Sequence, residues 1–105
     1  MSKKRKKRIN HNIKHIKSHE FVQGKYEIIW KKPRGCQGMC SDPKDRKIWL
    51  NPNMDDLETL RVTLDESIHA CLWPIDNDYV YDMSSSMADF LYKLGFRLEK
   101  RNFAK

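Results

Sequence analysis

Asp65, Glu66 and His69 have the types and spacing for metal or acid–base chemistry. A carboxylate and an imidazole four residues apart lie one above the other on a helix, so both can reach one divalent ion. A glutamate between them projects from the next position round, where it can act as general base on a metal-bound water. A third ligand must come from another element. Asp82, thirteen residues past His69 on the following helical stretch, is the best placed. The plainer alternative is an Asp65–His69 ion pair on an ordinary helix.

These residues have to be held by two helices. Residues 55–73 place Leu57, Leu60, Leu64, Ile68 and Cys71 at steps of three and four, which predicts one amphipathic helix. Val62 and Trp73 form a second apolar patch, and Asp65 and His69 fall between the two. Charge in that position is partly buried and needs a partner or a metal. Asp55 or Asn53 caps the helix, Asp56 and Glu58 suit its positive end, and Pro74 stops it. Asp76 or Asn77 can cap a second helix over 78–94, with a stripe of Val80, Met83, Met87, Phe90, Leu91 and Leu94 and with Gly95 just past its end. The short connection makes the two helices neighbours.

Upstream, residues 25–31 read as a strand with Tyr26, Ile28 and Trp30 on one face, ended by Pro33 and Gly35. Residues 47–51 read as another, with Ile48 and Leu50 opposed to Trp49, after a turn at 42–45. The fold class expected is α+β: a small antiparallel sheet plus two packed helices, with a basic N-terminal arm. The sheet should cover the apolar face of the first helix, and the second helix its flank. Residues 1–20 are expected as arm and 21–105 as domain.

Charge is unevenly placed. Residues 1–34 hold twelve Lys or Arg against Glu20 and Glu27, a net of +10, while the remainder nets −3. The run Lys3, Lys4, Arg5, Lys6, Lys7 and Arg8 repels itself and suits a tether to nucleic acid or another polyanion. No aromatic residue interleaves it, so base stacking is not indicated. His11, His15 and His19 would align on a short helix over 11–20, as a polar face beside lysines. Cys36 and Cys40 have no second pair to complete a zinc site, and read as thiols beside a Gly38 turn. Three cysteines give no disulfide framework, so a reducing, cytoplasmic setting is expected. No run of about 18 apolar residues exists, and no membrane partner is expected.

From Tyr26 to Arg97 the chain resembles a family of small bacteriophage proteins related to minimal gluzincin and SprT-like metallopeptidases. The matching pieces are residues 38–42, 47–52 and 57–60, the Asp65-Glu-Ser-Ile-His-Ala-Cys71 run, and residues 87–97. Family members carry His-Glu-x-x-His-Ala and then a glutamate on the next helix. The resemblance implies a zincin-like minimal core, metal-dependent peptide hydrolysis, zinc as the metal, and a location in the host cytoplasm. It makes Glu66 the catalytic base and Asp65, His69 and Asp82 the metal ligands. Asp65 stands where the family has histidine, and Asp82 is one methylene shorter than glutamate. A set with two carboxylates lowers the metal's Lewis acidity and favours harder ions such as manganese, magnesium or calcium. Without a cation, at least one of the three acids should have a raised pKa. Two expectations follow from the resemblance: an active metallopeptidase, or an inactive relative that binds peptides or proteins. From another class comes a nucleic-acid-associated protein acting through residues 3–8. Tyr79, Tyr81 and Tyr92 are candidates to assist an oxyanion.

Overall fold

The computed structural model describes residues 16–98. Its elements run β1 (Ser18–Phe21), β2 (Gly24–Ile29), β3 (Gly38–Cys40), β4 (Lys47–Leu50), α1 (Asp56–Cys71) and α2 (Asn77–Leu94). This is the α+β architecture, with one small sheet and two packed helices. The basic run and the segment around His11 and His15 lie outside the described residues.

Two details of the sheet differ from expectation. It has four strands in the order β1-β2-β4-β3, and it is mixed rather than antiparallel. β2 and β4 pair in parallel, with Ile28 opposite Ile48. The reason is β3, which pairs antiparallel with β4 on its outer side, so the chain has already reversed once before β4 begins. A three-residue strand of Gly, Met and Cys carries almost no strand signal of its own. The segment holding His19 is likewise a strand, not a helix. It forms a hairpin with β2, and the chain leaves the turn at Gly24 with a φ of 126°, which a residue with a side chain rarely adopts. The sheet therefore begins inside the stretch expected to be arm.

One sheet face forms the core with α1. Tyr26 and Ile28 from β2, Ile48 and Leu50 from β4, and Met54, Val62 and Ala70 make a single cluster. Alternation in β2 and β4 sends these side chains inward, while Lys25, Glu27 and Lys47 face water. Phe21 meets Tyr26 edge to face at 5.5 Å. The turn before β4 is pinned by Asp42, whose carboxylate accepts from the Lys44 and Asp45 amides. Asp55 caps α1 by accepting from the Glu58 amide, and Asp76 caps α2 by accepting from the Asp78 amide. Gly95 closes α2 with a φ of 104°.

The helix faces are also turned from the expected ones. The buried side of α1 consists of Thr59, Val62, Glu66, His69 and Ala70. Leu57, Leu60, Leu64 and Ile68 each stand two positions before Thr59, Val62, Glu66 and Ala70. Two positions is about 200° round a helix, so these apolar side chains point away from the sheet. On α2 the buried positions are Val80, Ser84 and Ala88. They are small and four apart, and they let α2 lie close against α1. Met87, Phe90 and Leu94, expected in that contact, are 43%, 63% and 59% exposed.

Candidate functional site

α1 presents its three chemistry-bearing residues to three different neighbours. Glu66 points at the sheet and is 7% exposed. It lies beneath edge strand β3 at Gly38, where an added Cβ would stand 3.2 Å from Glu66 Oε2 and 2.5 Å from Val62 Cγ1. Only a glycine lets β3 come this close to α1. Burial, and then the neighbouring Asp65 carboxylate, push Glu66 up to about 8. The expectation of one raised acid is met here, with desolvation as the larger cause. Cys40, one pleat along β3 from Gly38, is pushed up to about 12 by burial and then by Glu66, so it remains a neutral thiol.

Asp65 faces α2 instead. Its Oδ1 accepts a 3.0 Å hydrogen bond from the Ser84 hydroxyl, and Ser84 is fully buried. The Arg61 guanidinium, one turn earlier on the same side, lies 4.9 Å from the Tyr81 ring centre. His69 faces the end of the helix pair. Its ring meets Trp73 edge to face at 5.9 Å, and its buried Nδ1 has no hydrogen-bond partner among the described residues. With Trp73, Pro74, Ile75 and Asn77 it lines a recess of about 200 Å³.

Asp82 does not join them. It lies in an outer groove of about 310 Å³ with Tyr79, Met83, Ser86 and Met87. Ser84, two positions on and so nearly opposite, is the α2 residue that meets Asp65. Among the described residues, no three His, Cys, Asp or Glu side chains are grouped to hold a metal ion. His69 has a free ring nitrogen, but Asp65 is engaged by Ser84 and Asp82 is on another face. The donor set Asp65, His69 and Asp82 does not fit a divalent ion in this arrangement. The tyrosines are dispersed as well. Tyr79 is in the outer groove, Tyr81 is under Arg61, and Tyr92 is under Arg97 at 3.5 Å.

The Glu66 arrangement has an open side. Among the described residues β3 is an edge strand, so half of its backbone groups have no strand partner there. The Asn51 amide donates to the Gln37 carbonyl and the Ser41 amide to the Lys47 carbonyl. Residues 37, 39 and 41 therefore direct their backbone groups to β4, and the ladder's alternation turns those of Gly38 and Cys40 outward. These are the two β3 residues nearest Glu66.

The sequence singles out Glu66, Asp65 and His69 as candidates but not Gly38 and Ser84, which meet Glu66 and Asp65 in the fold. Gly38 was legible as a special position and misread as a turn. Ser84 had one available signal, its place midway between Val80 and Ala88 in a row of small residues four apart. Compared with known proteins, the chain matches no family model, no curated protein and no solved structure.

Proposed function

We propose that this chain is a zincin-like domain that binds an extended peptide along the free edge of β3, with Glu66 as the polar group beneath the bound strand. The observation that carries the reading is the close approach of Glu66 to Gly38 on a strand that, among the described residues, stands at the sheet's edge. Strand addition there supplies main-chain hydrogen bonds. At neutral pH the Glu66 carboxyl is mostly protonated, so it offers a hydrogen-bond donor as well as an acceptor. No hydrolytic step is part of this reading, because the donor set does not assemble around an ion.

The test is a peptide-library binding screen with the full chain, with and without zinc or manganese. Expected is binding that weakens above about pH 8, where the acid ionises. Glu66→Gln keeps a donor and should retain binding, whereas Glu66→Ala should lose it. Cleavage of any peptide that requires added metal and vanishes in Glu66→Gln would replace this reading with that of a metallopeptidase. Equal binding by all three proteins would remove Glu66 from the site.

A second reading rests on the charge imbalance. Residues 1–34 carry +10 against −3 for the remainder, which favours attachment to nucleic acid through Lys3 to Arg8. Six basic residues predict a log–log salt slope of about −5 on duplex DNA. Deleting residues 1–10 should remove most of that slope and leave peptide binding in place. Unchanged DNA binding after the deletion would end this reading.

A further inference from the structure

α2 carries more apolar surface outward than inward. Its contact with α1 uses Val80, Ser84 and Ala88. Tyr79, Met83, Met87, Phe90 and Leu94 run along another side of the helix at steps of four, four, three and four. This is the spacing of a helix-pairing seam sustained over more than four turns. Tyr79 is 65% exposed, Phe90 63%, Leu94 59% and Met87 43%. At roughly 200 Å² for each large side chain, they leave on the order of 500 Å² of apolar surface per copy, a patch size associated with interaction sites. The leucine row of α1 also points away from the sheet, and its Leu57 is 37% exposed.

We propose that the occupant of this seam is a second copy of the same chain, paired through α2 in antiparallel orientation. Two arguments select it. The first is self-complementarity. Reversing one copy about Met87 sets Tyr79 opposite Leu94 and Met83 opposite Phe90, so bulky ends meet their like and the seam closes on itself. The area hidden on the two copies together is then about 1,000 Å², the lower bound for a specific interface.

The second argument is charge. The first half of α2 and its cap hold Asp76, Asp78 and Asp82, whereas Lys93 and Arg97 stand at its other end. The antiparallel arrangement brings Asp82 near Lys93 of the second copy and Asp78 near Arg97 of the second copy. A parallel arrangement would set like charges together. Lys93 is only loosely engaged within its own chain, at 3.9 Å from Asp89 with 76% of its side chain exposed. The antiparallel pair also aligns the helix dipoles favourably.

Sedimentation equilibrium on the full chain tests this. At about 100 µM the chain should be largely dimeric and should dissociate on dilution. Met87→Asp and Phe90→Asp, both at exposed positions, should each weaken association at least about tenfold with the helical circular-dichroism signal unchanged. In a Cys71→Ser background, Tyr79→Cys and Leu94→Cys chains should cross-link when mixed and not when each is oxidised alone. A chain that stays monomeric overturns the proposal, whether its seam is then covered by its own termini or by another protein. So does a dimer indifferent to both aspartates, or one in which Tyr79→Cys cross-links only to itself.

Discussion

A carboxyl group with 7% of its surface exposed, beside a second acid and under a glycine, keeps its proton well above the ordinary carboxylate range. Glu66 is pushed up from 4.5 to about 8, so between those values the folded protein holds a proton that the unfolded chain has lost. Stability is therefore complete below about pH 4.5, falls as pH rises, and levels off above about pH 8. The slope is about 1.4 kcal/mol per pH unit where both conditions hold, a few kcal/mol in all. Glu66→Gln removes the proton from this balance. Chemical denaturation across the range should show the wild type losing stability toward alkaline pH and the variant holding steady, and being the more stable of the two above pH 8. A fall of the same size in both proteins would place the titrating group elsewhere. Ser84 allows a second experiment on single side chains. Its hydroxyl donates to Asp65 from a fully buried position. Ser84→Ala should cost about 1 kcal/mol in the same assay, the loss of the hydrogen bond being partly offset by alanine's better helix propensity. No loss would mean that the Asp65 carboxylate finds water or Arg61 equally well.

The contact between β3 and α1 depends on the absence of a single side chain. Gly38→Ala would put a Cβ 2.5 Å from Val62 Cγ1, a clash on a methyl group locked in the core. The strand or the helix must move, and a destabilisation of about 1–3 kcal/mol is expected. A strand that lifts also lets water reach Glu66 and lowers its folded-state pKa, so the variant's alkaline loss should be smaller and should level off at lower pH than the wild type's. An unchanged denaturation midpoint would show that β3 is not clamped on α1. This strand also marks how far the sequence could be read. The helices were legible because caps, Pro74 and Gly95 bracket long periodic runs, and their observed ends lie within two residues of the expected ones. The buried faces were not legible. Periodicity identifies an apolar stripe but not the layer that covers it, and here Thr59, Val62 and Glu66 face the sheet while the leucines do not. The same error misplaced Asp82, because the expected stripe set it beside the helix contact and the observed one, through Ser84, turns it away. β2 and β4 were legible from alternating Tyr26, Ile28, Ile48 and Leu50, but their parallel pairing depends on a strand too short to announce itself.

As a whole the molecule is thin. Its described residues bury nine hydrophobic side chains, of which seven form the cluster between sheet and α1. Val80 and Ala88 stand apart, on a helix whose main packing partner is α1. A domain of this size has little stability to spare, and α2 leaves its largest side chains in water. Pairing through the α2 seam would stabilise the native state by mass action, because an unfolded chain has no seam to offer. The thermal midpoint should then depend on concentration. Over a tenfold rise in the dimeric range, the wild type's Tm should climb by about 2–5 °C, given the enthalpies usual for a chain of this length. Phe90→Asp should have a Tm that does not move with concentration and that approaches the wild type's on dilution. The two proteins would then differ most where the wild type is most associated. A wild-type Tm that is the same at every concentration would mean that the small core carries the fold alone, and that the exposed row on α2 contributes nothing to it.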